Sequence, residues 1–134
     1  MARITDEMKD MILERRPALI ATADASGMPN VSPRFIIDVP SESTLLYGDN
    51  FANKSFDNLR QNPRVAVLVA DYEEYRGFQF KGTVTHHTEG PYYEAVRRAF
   101  QAAGWGEHPV QAVVVHVEEI YSIRPDASSR SRIG

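Results

Sequence analysis

The chain has 134 residues, of which 43% are hydrophobic and 25% charged, with a net charge of −3. That is enough chain for one domain with one core, and its charge balance draws neither nucleic acid nor an acidic membrane. It contains no cysteine, which excludes disulfides, thiol catalysis and thiolate metal sites.

The elements follow in chain order. Thr5 caps a first helix, with Asp6 and Glu7 in its first turn. Met8, Met11, Ile12 and Arg15 fall on one side of it, and Pro17 stops it. A short apolar strand covers 18–23, and Asp24-Ala25-Ser26-Gly27 turns the chain. Residues 31–39 read as the hairpin partner of that strand, and a further strand covers 44–47. A short helix is expected over 53–61, with Phe56 and Leu59 facing inward. The run 65–70 is apolar on both faces, as a strand buried on both sides requires.

The following strand alternates, with Phe78, Phe80 and Val84 on one face and Gln79, Lys81, Thr83 and Thr85 on the other. Gly82 within it marks a bulge or a close backbone approach. Pro91 opens a second amphipathic helix whose stripe is Tyr92, Val96, Ala99, Phe100 and Ala103, and Gly104 ends it. A valine-rich strand over 112–123 comes last. Residues 1–124 read as one domain, and 125–134 as a frayed polar tail. Short connections argue against parallel crossovers and point to a small antiparallel barrel or sandwich. The charged N-terminus lacks the apolar stretch of a secretion signal, and no apolar run approaches the ~20 residues of a membrane span. The expectation is a cytoplasmic protein that binds neither nucleic acid nor membrane.

Three constellations carry chemistry. Lys54 and Ser55 open the short helix, with Asn53 as its cap. Free N–H groups and the helix dipole make that end suited to an anion such as phosphate, although polar residues at a helix start more often serve as plain caps. Ser32-Pro33-Arg34 breaks a strand-like stretch with a proline and a guanidinium. Either Arg34 binds a phosphate or ring oxygen, or Pro33 guards an edge strand and Arg34 faces solvent. Aromatic residues form the third group: Tyr47, Phe51, Tyr72, Tyr75, Phe78, Phe80 and Trp105 could wall a flat ligand, although core packing accounts for Phe56, Phe78 and Phe80, while Trp105 lies in a glycine-flanked loop as a surface anchor, a dimer contact or a lid. The four histidines make no metal-binding pattern, because adjacent His86 and His87 point to opposite faces of a strand. No metal site is expected, although a single histidine suffices for haem iron.

Taken in order, Asp24-Ala25-Ser26-Gly27-Met28-Pro29, Ser32-Pro33-Arg34-Phe35, Leu45-Leu46-Tyr47-Gly48, Asn53-Lys54-Ser55 with Asn58-Leu59-Arg60-Gln61-Asn62-Pro63-Arg64-Val65, and Phe80-Lys81-Gly82-Thr83-Val84 resemble the FMN-binding split-barrel superfamily. This superfamily is also called pyridoxamine 5′-phosphate oxidase-like. The resemblance implies a mainly β, six-stranded antiparallel split β-barrel of Greek-key type with flanking helices. It implies a homodimer with FMN at the subunit interface, acting as an FMN-dependent oxidoreductase or small electron carrier with a small-molecule electron donor or acceptor. Lys54 and Ser55, after Asn53, would hold the phosphate. Ser32, Pro33, Arg34 and Phe35 would follow the ribityl chain and the ring edge, and Gly48, Asp49 and Asn50 would approach the flavin through their backbone. Gln79 or Lys81 would lie near the phosphate or ring, and Trp105 would cover the ring from the partner subunit.

Two departures bear on the substrate. The C-terminus lacks an R-x-H pattern, and one basic residue precedes Ser55 where the true oxidases usually have two. Pyridoxamine phosphate is therefore not the expected substrate. Relatives that use haem or a deazaflavin keep those cofactors as alternatives.

Overall fold

The computed structural model describes residues 2–134. It contains α1 (Asp6–Glu14), β1 (Ala18–Ala23), β2 (Pro29–Arg34), β3 (Asp38–Ser41), β4 (Thr44–Asp49), α2 (Lys54–Gln61), β5 (Arg64–Asp71), β6 (Arg76–His87), α3 (Pro91–Ala103) and β7 (Gln111–Ser122). All strands join one antiparallel sheet in the order β2-β1-β5-β6-β7-β4-β3.

The sheet has seven strands rather than the six expected, because 31–39 is not one strand. Arg34 pairs with Ala18 at one edge of the sheet. Asp38 pairs with Leu46 at the other. Ile36, fully buried, is the pivot between them. This link also fixes the shape. The edges of a flat seven-stranded sheet would lie ~29 Å apart, whereas the three residues between β2 and β3 reach across about 14 Å at most. The sheet must therefore curl until its edges approach, and among the described residues no ladder between β2 and β3 closes it. The result is an open, split barrel.

The curl encloses the main core. Met8, Met11 and Ile12 of α1 plug it against Ile20, Leu45, Tyr47, Val67, Phe80, Val113, Val115 and Ile120. A smaller cluster lies outside the curl, where Val96 and Phe100 of α3 cover Leu46, Ala112 and Val114. The valines of β7 are continuous because that strand is covered on both sides. The apolar run in β5 is covered on one side: Val65, Val67 and Val69 point inward, while Ala66 and Leu68 on the outer face stay half-exposed.

Gly82 sits at the shift in register between β6 and β7, where a Cβ would come within 1.9 Å of the His116 carbonyl oxygen. The C-terminal residues are not frayed. A 3₁₀ turn at Ala127–Arg130 leads them back along β7, where Ile120 donates to the Gly134 carbonyl at 2.9 Å and Ile133 donates to the Ile120 carbonyl at 2.8 Å.

Candidate functional site

The site is built where the start of α2 lies beside the edge strand β2. Asn53 is extended, and its side chain accepts the Phe56 N–H at 3.1 Å, capping the helix. The N–H groups of Lys54 and Ser55 have no acceptor among the described residues, which is the ordinary condition of a first helical turn. The Lys54 side chain is exposed and makes no salt bridge among the described residues. Ser55 is 1% exposed. Its hydroxyl meets that of Ser32 at 2.7 Å and accepts from Asn30 Nδ2 at 3.1 Å. Alternation along β2 places Asn30, Ser32 and Arg34 on one face, leaving Pro29, Val31 and Pro33 outward.

Pro33 does guard an edge strand, as one reading of the motif required, but Arg34 is not in solvent. Its Nε donates to Asp49 Oδ1 at 3.0 Å, with the two side chains 11% and 2% exposed. Its Nη1 donates to Ser32 Oγ at 3.2 Å and to the Pro33 carbonyl at 2.7 Å, and Nη2 donates to Asn53 Oδ1 at 3.0 Å. The guanidinium thus joins β2, β4 and the cap of α2. On its far side Asp49 Oδ2 accepts from Gln111 Nε2 at 2.9 Å, and Gln111 Oε1 accepts from Arg60 Nη2 at 3.2 Å.

Eight of the twelve candidate residues line one cavity of about 230 Å³: Pro33, Arg34, Phe35, Gly48, Asp49, Asn50, Asn53 and Trp105. Ser32 adjoins it through its bond from Arg34, Ser55 through Ser32, and Lys54 follows Asn53 on the helix. Gln79 is elsewhere, on the outer face of the sheet with Leu19, Ala21, Val31, Ala66, Leu68 and Ile123. Trp105 closes the cavity of its own chain. Its ring meets Phe35 edge-on at 5.1 Å and Phe100 at 5.7 Å, and its carbonyl accepts from Asn50 Nδ2. Gly48 is explained by packing, since a Cβ there would lie 2.2 Å from Val96 Cγ1 and 3.0 Å from Phe100 Cζ of α3.

Phe51, one of the aromatic residues suited to walling a flat ligand, also lines this cavity, as does Phe100 of the α3 stripe. Asn30, Gln111 and Arg60 join the neighbourhood through their hydrogen bonds and are not among the site candidates read from the sequence. Gln111 had one available signal, a polar residue opening a strand that is otherwise buried. Tyr47 lies beneath Arg34, with the guanidinium 5.8 Å from its ring centre. Burial first, and then the Asp49 charge, push its phenol far above the usual range. It is therefore neutral and holds its proton at physiological pH.

A second, larger groove of about 650 Å³ crosses the outer face, between Arg64 and Lys81 on one side and Glu118 and Glu119 on the other. Beside it, Thr85 Oγ1 lies 2.9 Å from His87 Nε2 and 3.0 Å from His116 Nε2. Burial, then His116 and His86, hold the His87 imidazole below its ordinary pKa. Among the described residues no three metal-ligating side chains converge, and no helix is long and apolar enough to cross a membrane.

Among known proteins, an uncharacterized protein of Methanocaldococcus jannaschii is 34% identical over 131 residues, covering 95% of this chain and 87% of its own. The crystal structure of HupZ from Group A Streptococcus is 34% identical, with a TM-score of 0.84 over 93% of this chain and 98% of that one. Two more distant structures share the fold. An FMN-binding protein of Syntrophomonas wolfei has a TM-score of 0.78 at 14% identity, covering 90% of this chain and 86% of its own. HutZ, the haem storage protein of Vibrio cholerae, has a TM-score of 0.68 at 18% identity, covering 89% and 94%. The pyridoxamine 5′-phosphate oxidase family matches residues 4–124, nearly the whole barrel, and the chain belongs to it.

Proposed function

We propose that this protein binds FMN with the phosphate at the start of α2, works as a homodimer, and exchanges electrons with a small-molecule donor or acceptor. The observation that carries this reading is the meeting of Lys54, Ser55, Ser32 and Arg34 at one helix N-terminus, beside a cavity walled by Phe35 and Trp105. A dianion there gains the unpaired N–H groups of the first turn, the Lys54 ammonium and two hydroxyls. Flat aromatic walls suit a ring system. The fold is shared with an FMN-binding protein, which supports the same cofactor here.

The second subunit follows from size and surface. A cavity of about 230 Å³ falls below the ~300–1,000 Å³ of ordinary small-molecule sites, so one chain covers only part of such a ligand. The outer face carries Leu19, Ala21, Val31, Ala66, Leu68 and Ile123 around Gln79, and Val31 is 64% exposed. Pairing of two such faces would bury them, complete the site and bring Gln79 toward the partner's flavin.

FMN supplies the redox chemistry when bound. The chain's own residues bind and orient. Lys54 and Ser55 hold the phosphate, Arg34 fixes the helix cap to β2, and Trp105 and Phe35 exclude water from one side of the ring. Tyr47 donates no proton, and no side chain in the cavity is assigned as an acid or base.

The test is the visible spectrum of the purified protein, with the bound flavin identified after extraction. FMN is expected, and Lys54→Ala should weaken it about tenfold while leaving riboflavin affinity unchanged.

A second reading is haem binding. It is favoured by the outer groove, which sets Arg64 and Lys81 near the exposed imidazole of His116, and by the shared fold with HutZ. Cations for two carboxylates and an axial nitrogen are the groups a haem requires. A Soret band on haem titration that vanishes in His116→Ala, in a protein that takes no flavin, would replace the first reading with this one.

A further inference from the structure

We propose that Asp49 determines how strongly this site selects a phosphorylated flavin, by neutralising Arg34; the inference rests on the FMN reading above. The Asp49 carboxylate is 2% exposed, and both its oxygens are engaged, one by Arg34 and the other by Gln111. Arg34 in turn has four of its N–H bonds committed, to Asp49, Ser32, Asn53 and the Pro33 carbonyl. A guanidinium has five donors, so one is left for a ligand, and the carboxylate beside it offsets its charge.

Among the described residues, the cation near the start of α2 that makes no salt bridge is therefore Lys54, which is exposed and screened by solvent. Asp49 is an anion held within one guanidinium of the place where a dianion would sit. Its field opposes the phosphate and leaves the uncharged isoalloxazine and ribityl parts unaffected. The carboxylate is thus a specificity-determining group. It keeps Arg34 fixed when the site is empty, and it limits the preference for FMN over riboflavin.

The experiment uses the full chain, with FMN and riboflavin titrated separately at low and high salt. Asp49→Asn keeps the shape and the acceptor for Arg34 but removes the charge. Removing one unit charge near a dianion at a partly exposed site is worth about tenfold in affinity. FMN should bind about tenfold more tightly to Asp49→Asn than to the unaltered protein, with a steeper salt dependence and riboflavin unchanged. The gain should vanish in the double variant Asp49→Asn/Arg34→Gln. If circular dichroism shows Asp49→Asn misfolded, Asp49→Thr, which keeps an acceptor in less space, is measured against the same expectations.

An FMN-to-riboflavin ratio that stays level or falls while FMN still binds overturns this inference and leaves the FMN reading standing. A gain that persists without Arg34 overturns it as well. Absence of FMN binding in the unaltered protein and in both variants overturns the FMN reading itself.

Discussion

Replacing Gly48 with alanine separates two explanations of one residue. The family resemblance implies that the Gly48 backbone approaches a flavin, whereas the structure places the residue under α3. The new methyl would sit 2.2 Å from Val96 Cγ1 and 3.0 Å from Phe100 Cζ, far inside the ~3.5–4.0 Å of an ordinary carbon contact. Val96 is fully buried on β4 and β7, so α3 must move outward. Overpacking of this kind costs about 1–3 kcal/mol. For 134 residues the entropy of unfolding near the midpoint is about 0.28 kcal/mol/K. The melting temperature of Gly48→Ala should therefore fall by about 4–11 °C in the absence of any ligand, read by calorimetry or circular dichroism. FMN affinity should also drop, because Phe100 carries the displacement to Trp105 across their 5.7 Å contact. An apoprotein with an unchanged melting temperature that loses FMN would refute the packing explanation and restore the backbone role.

Three further outcomes are expected. Leu68→Glu places a charge in the apolar outer face, so the proposed dimer should appear as a monomer by light scattering. A monomeric unaltered protein carrying a full complement of FMN contradicts the shared site. The His87 imidazole titrates below its ordinary value of 6.5 because of burial and then its histidine neighbours. The unfolded chain therefore binds this proton more readily, so its stabilising effect is present above about pH 6.5 and is lost as the pH falls toward the folded value. Melting temperatures measured from pH 7.5 down to 5 should fall less steeply in His87→Gln, and parallel curves would show that His87 does not contribute. Trp105 is the single tryptophan of the chain, so its fluorescence should be quenched on FMN binding; emission that stays constant through saturation places the ring elsewhere.

Local chemistry made much of this legible in the sequence. Thr5 and Asn53 act as caps through their own side chains. Gly104 ends α3 in the left-handed region at φ 76°, and Gly82 marks a bulge. Each of these depends on a few neighbours, and the residue type states the requirement. The seventh strand was not legible, because nothing local in 31–39 says that the chain leaves one sheet edge for the other at Ile36. That break comes from the curl of the whole sheet.

The site divides in the same way. The cap residues of α2 and Ser32 and Arg34 of β2, which the structure brings together, were legible from local sequence, whereas Asn30 on the same face was not. Gln111 was missed because its partners, Asp49 and Arg60, lie 62 and 51 positions away. The roles of Arg34 and Gly48 were also hidden. A guanidinium poised for phosphate and one bound to a buried carboxylate have the same sequence. A glycine that serves a flavin likewise looks identical to one that serves a helix.

The most direct test of the central claim is a crystal structure of the protein with FMN. Two chains related by a two-fold axis are expected, each flavin walled by Trp105 and Phe35, with its phosphate on the Ser55 hydroxyl, the first-turn N–H groups of α2 and the Lys54 ammonium. A phosphate held away from α2, or an FMN lying wholly in the groove between Arg64 and Glu118, would contradict it.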